Sequence, residues 1–129
     1  MSKKMISTIA MLLVFIMLVG GVSAAILWNW TTRYTHNIFF AGTSGEVKSE
    51  ITTDNSSCYI SGTVTLYRKV AFMWKKVDTW TETVTGDYWV IQEPFTATVG
   101  TKYKATLTAS VTLNGITDSI SDEVEKTCN

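Results

Sequence analysis

Along most of the chain, apolar and polar side chains change places at every second residue. The longest such run is Tyr103, Ala105, Leu107, Ala109, Val111 and Leu113, with Lys104, Thr106, Thr108, Ser110 and Thr112 between them. Successive side chains of a strand point to opposite faces, so this run predicts a strand with one face on a core. A helix needs apolar repeats at three and four, and the β-branched threonines disfavour one further. Asn114-Gly115 ends the run. Both central residues of a type I′ turn need positive φ, and Asn-Gly meets that need best, so a tight hairpin is predicted here. Its register sets Leu113 opposite Ile116, Val111 opposite Asp118 and Ala109 opposite Ile120. Ile116, Ile120 and Val124 are then expected on the buried face. Asp118 and Asp122 fall on that face too, which points to a last strand lying partly at a sheet edge.

The same period recurs upstream. Cys58, Ile60, Val64 and Leu66 alternate with Ser57, Tyr59, Thr63 and Tyr67, and a second run covers Trp74 to Trp80. These two read as a hairpin with an irregular turn over Arg68 to Met73. Tyr88 to Val99 is a further strand, and Pro94 within it predicts an edge position or a bulge, because proline cannot donate to a ladder. Ile26 to Phe40 and Glu46 to Thr53 complete the set, separated by Gly42, Ser44 and Gly45. About seven strands joined by short polar turns predict an all-β fold, a single antiparallel Greek-key-like β-sandwich.

The alternation is absent at the start. Lys3 and Lys4 precede an apolar run from Met5 to Val19, and Val22-Ser23-Ala24 then places small residues before Ala25. This is the layout of a secretory signal peptide with its cleavage site. The expected division is a signal peptide helix over 1–24 and a β-sandwich domain over 25–129, secreted and extracellular. The alternative is an uncleaved membrane anchor, since Met5 to Leu27 is long enough to span a bilayer.

Export changes how composition is read. The chain has 129 residues with 11 basic and 11 acidic side chains. Without Lys3 and Lys4 the exported part carries a net charge of −2. Nucleic-acid binding asks for a clearly basic surface, so no nucleic-acid partner is expected. Cys58 and Cys128 are the two cysteines. In an oxidising compartment an even pair reads as a disulfide, here closing a loop of about 70 residues for roughly 4 kcal/mol. Two cysteines and one histidine do not make a tetrahedral metal site, so neither metal nor cofactor is expected.

Catalytic chemistry finds little to work with. His36 is the sole histidine, and no Gly-x-Ser-x-Gly elbow presents a serine to it; Ser44 sits in the flexible Gly42-Thr-Ser-Gly45 turn. Asp118 and Asp122 share a strand face about 13 Å apart, too far for a glycosidase pair. Asp118, Asp122, Glu123 and Glu125 therefore read as a solvated acidic edge that discourages edge-to-edge pairing. No enzymatic activity is expected. Two surfaces are candidates for binding. One is an aromatic platform drawn from Trp28, Trp30, Trp74, Trp80 and Trp89, of the kind that holds a protein or carbohydrate ligand. The other is a basic-aromatic hairpin, Arg68, Lys69, Phe72, Trp74, Lys75 and Lys76, able to touch an anionic membrane. The expectation is a non-catalytic binding module. The alternative is a membrane-active or antagonistic effector acting through 68–76. Membrane contact is otherwise confined to the N-terminal segment before its cleavage.

Gly100-Thr-Lys-Tyr103-Lys-Ala105, the strand after it, Asn114-Gly115 and Ser119 resemble the F–G hairpin of fibronectin type III and immunoglobulin-like domains. The resemblance implies that the Tyr103 hydroxyl bonds back to the preceding corner. Ala105 stands where an immunoglobulin domain has its second cysteine, so the inter-sheet disulfide of that family has no counterpart. The whole exported part resembles small secreted proteins of Gram-positive bacteria classed as domains of unknown function. The shared features are Trp28-Asn-Trp-Thr31, Gly62-Thr-Val-Thr-Leu-Tyr67, Trp74-x-x-Val77 and Gly100-x-x-Tyr103. That likeness implies export and brings no catalytic residue with it.

Overall fold

Seven antiparallel strands make up the protein in a computed structural model that describes residues 28–129. They are β1 (Thr31–Ala41), β2 (Ser44–Thr53), β3 (Tyr59–Val70), β4 (Met73–Thr85), β5 (Tyr88–Thr96), β6 (Lys102–Leu113) and β7 (Ile116–Thr127). Two sheets result, ordered β1-β2-β5 and β4-β3-β6-β7. The all-β sandwich expected from the alternation is what forms. The leader over 1–24 lies outside the described residues.

The alternation works because each strand offers one apolar face to the space between the sheets. Ile38, Val47 and Ile51 from one sheet meet Ile60, Val64, Leu66, Leu107 and Val111 from the other, all fully buried. Trp89 lies at the centre, also fully buried. It fits because β3 has glycine at 62, where a Cβ would come within 2.5 Å of the Trp89 ring. Its indole N–H donates to the Glu82 carbonyl at 2.9 Å, so the one polar atom of the largest core side chain is satisfied.

The outer face of the four-stranded sheet is a field of hydroxyls. Ser61–Thr83, Thr63–Thr81 and Thr65–Thr79 pair across β3 and β4 at 3.2, 3.0 and 2.9 Å, and Thr112–Thr117 across β6 and β7 at 2.8 Å. Threonine suits such a face, since its branched side chain fits the pleat and its hydroxyl meets water.

The β6–β7 register is the predicted one, with Leu113 on Ile116, Val111 on Asp118 and Ala109 on Ile120. Asn114 and Gly115 take φ of 53° and 77°, as a type I′ turn requires. Pro94 stands on β5, an edge strand. The Tyr103 hydroxyl accepts from the Thr98 backbone N–H at 2.9 Å, closing the corner ahead of β6.

Four expectations are corrected. The hairpin turn over Arg68 to Met73 is tight: the β3–β4 ladder runs to Val70 opposite Met73, leaving Ala71-Phe72 as the loop. Only Ala71 has positive φ, at 57°, the pattern of a type II′ turn. Ile116 is exposed, standing in the last ladder pair beside the Asn114-Gly115 turn, while Ile120 is buried and Val124 half-buried. Asp118 is buried, for reasons given below. Cys58 and Cys128 are both free thiols, and the disulfide is not formed. Their places in the sheet explain this. Cys58 precedes Tyr59, which faces Thr112 at the far end of β6, whereas Cys128 follows Thr127, which faces Lys102 at its start. About twelve residues of β6 separate them, on the order of 40 Å, when a disulfide needs Cα atoms within about 7 Å.

Candidate functional site

The sandwich has two ends. One holds the start of β1, the β6–β7 turn and the loops carrying Asp54 and Asp87. The other holds the β3–β4 turn and the starts of β2 and β6.

At the first end the polar groups are turned to structure. Asp118, 4% exposed, accepts through one oxygen from the Asn29 backbone N–H and side-chain amide at 2.8 and 3.3 Å. Its other oxygen accepts from the backbone N–H groups of Trp30 and Thr31 and from the Thr31 hydroxyl, at 2.8, 2.9 and 3.0 Å. The Trp30 indole N–H donates to the Ile116 carbonyl at 3.0 Å. Two more β7 side chains, at intervals of four, continue the seam along β1. Asp122 lies beside the Tyr34 hydroxyl; burial first, then this carboxylate, hold that phenol above its ordinary pKa. Lys126 donates to the Ile38 carbonyl at 2.9 Å. Of the four residues read as a solvated acidic edge, Asp118 and Asp122 thus join β7 to β1, an edge strand of the other sheet, while Glu123 and Glu125 are exposed. Alternation shows which face a side chain takes; it does not show that another sheet's edge lies there with unpaired N–H groups.

His36 belongs to the same seam. Its Nε2 lies 2.9 Å from the Ala105 carbonyl, which can only accept, so Nε2 donates. Nδ1 lies 2.7 Å from the Ser49 hydroxyl. A histidine–serine pair is present, but Ser49 is fully buried and both ring nitrogens are engaged. With Nε2 donating, Nδ1 is the acceptor for the Ser49 hydroxyl, and that hydroxyl does not face solvent. Among the described residues, no group of three His, Cys, Asp or Glu side chains could hold a metal ion.

The five tryptophans are not brought together. Trp89 is core. Trp28, Trp30 and Trp80 are half-buried against that core, with Trp28 edge-on to Tyr34 at 5.7 Å between ring centroids. Trp74 lies near the other end, with Lys69 and Lys104 over its ring at 5.4 and 4.6 Å.

At that second end the balance reverses. The last β3–β6 pair is Arg68 with Tyr103; beyond it Lys69 and Val70 pair only with Trp74 and Met73. The hairpin therefore outruns its ladder with β6 by two residues, about 7 Å. On it Phe72 is 95% exposed and Met73 68%. Arg68, Lys69, Lys75 and Lys76 surround them, and residues 67–77 include no carboxylate. The salt bridge found among the described residues joins Lys102 to Glu125 at 3.4 Å, so none of these four cations has a carboxylate partner there. Behind the tip, an open groove is lined by Arg68, Lys76, Val77, Thr96, Thr98 and Tyr103. Beneath it, Phe40, Phe95 and Tyr103 pack ring on ring at centroid distances of 5.2–6.0 Å. The overhang thus stands on a stiff base.

The sequence named the tip residues but not the groove, because Thr96 ends β5 and Thr98 lies in the β5–β6 connection, and no spacing rule links them to Arg68. No helix among the described residues is long and apolar enough to cross a membrane. Comparison with protein families, with curated proteins and with solved structures returns no match to this chain.

Proposed function

We propose that this protein is an exported, non-catalytic binding module that docks on a negatively charged surface through the β3–β4 tip. One observation carries the reading: an apolar pair, Phe72 and Met73, stands in water on a hairpin tip whose four cations, Arg68, Lys69, Lys75 and Lys76, have no carboxylate partner among the described residues. A large aromatic side chain left this exposed forgoes about 2 kcal/mol of burial. An outside contact would recover it. Contiguous exposed apolar groups with a charged rim mark interaction sites more often than they serve stability. The non-catalytic part is supported by His36, Ser49 and Asp118, each held in hydrogen bonds inside the fold.

A net-neutral chain has no overall reason to bind an anionic matrix at pH 7, so retention there reports a local patch. The full chain is expected to be retained on a sulfonated cation exchanger. Lys75→Glu with Lys76→Glu removes that retention, while Arg33→Glu with Lys48→Glu, an equal change of charge away from the tip, leaves most of it. Equal loss in both variants, or no retention of the parent, would overturn the proposal.

A further inference from the structure

Taking the tip as the contact surface, we infer that its partner is an anionic lipid bilayer, with Phe72 and Met73 entering the acyl boundary and Arg68 and Lys76 meeting lipid phosphate. The inference rests on the reading above and narrows it to one occupant.

Three observations favour a bilayer over other negative surfaces. The first is the pairing of charge with apolar exposure. A soluble polyanion would use the cations and leave Phe72 and Met73 in water, whereas a bilayer engages both. The second is reach. The two strand residues by which the hairpin outruns β6 match the roughly 5–10 Å to which interfacial amphipathic elements sink into the headgroup and acyl boundary. The third is the groove at the base of the overhang. It sets Arg68 and Lys76 behind the apolar tip, where headgroup phosphates lie when the tip is inserted. Thr96 and Thr98 line the same groove and carry hydroxyl donors suited to phosphate oxygen. A second copy of this chain fits poorly. Two exposed side chains fall far short of the roughly 1,200 Å² that a stable interface buries, and two tips would bring eight cations together.

The test reads the tip's own position, so the leader, common to all variants, drops out. Phe72→Trp in the full chain is mixed with vesicles of phosphatidylcholine alone or of equal parts phosphatidylcholine and phosphatidylglycerol, each with brominated acyl chains. The expected result is a blue shift and quenching, relative to the Phe72 parent, in the anionic vesicles and not in the neutral ones. Adding Arg68→Glu and Lys76→Glu weakens the apparent affinity at least about 10-fold, since each cation near an anionic surface contributes about 5-fold. Inorganic phosphate at millimolar concentration leaves the quenching in place if lipid is the partner. Quenching abolished by free phosphate, quenching indifferent to the charge reversals, or none in anionic vesicles would each overturn the inference. If vesicles fail while the cation exchanger still retains the chain through Lys75 and Lys76, the binding module stands and the bilayer falls. If both fail, both readings fall.

Discussion

The two ends of this sandwich use similar side chains to opposite ends. At the β1–β7 end, a carboxylate is taken out of water and given five donors, and an indole N–H finds a carbonyl. At the β3–β4 end, four cations have no carboxylate partner among the described residues and a phenyl ring stands in solvent. Hydrogen-bonded charge at a buried site holds a fold together, since removing one partner strands the others. Unpaired charge beside an apolar tip adds almost nothing to folding. The contrast separates residues that maintain the protein from residues free to meet something else.

Substitutions at the two ends should differ accordingly. Asp118→Ala strands the backbone N–H groups of Trp30 and Thr31, and a loss of about 3–4 kcal/mol in urea denaturation is expected. A loss under about 1 kcal/mol would mean that water replaces the carboxylate and that the seam is weak. Between the ends, Gly62→Ala drives a methyl into the Trp89 ring, for an expected cost of about 2 kcal/mol with a shift in tryptophan emission. Phe72→Ser with Met73→Ser should leave stability within about 0.5 kcal/mol of the parent, read by the same denaturation. A clear loss there would show the tip to be packed in solution and erase the contrast. The smallest effect expected is none: a reducing agent should not change the thermal midpoint, whereas breaking a bridge between Cys58 and Cys128 would remove roughly 4 kcal/mol.

Much of this could be read from the chain alone, for identifiable reasons. The Tyr103–Leu113 strand and its partner were legible because alternation and Asn114-Gly115 together fix both face and register. Pro94 was legible because a missing N–H suits an edge. The cysteine pairing was not, because sequence separation carries no information on which end of a sheet a residue reaches. The partners of Asp118 are not legible for a related reason: its donors lie 87–89 residues away, at and just ahead of the start of β1 in the other sheet. The tip was legible in composition, since Arg68 to Lys76 is contiguous. Its tight turn and overhang were not, because Ala71 is an unusual residue at positive φ and gives no turn signal.

The Asp118 seam also gives the molecule a direction. Because residues 29–31 are bolted beside β7, the polypeptide enters the sandwich at the pole farthest from Phe72, about 40 Å away along the strands. A group fused ahead of residue 28 would therefore join the domain at the pole opposite the tip. A domain tethered by that segment would hold its basic, aromatic pole outward like a fingertip, toward a surface other than the one it is fastened to. Labels and immobilisation handles placed there leave the opposite pole unobstructed.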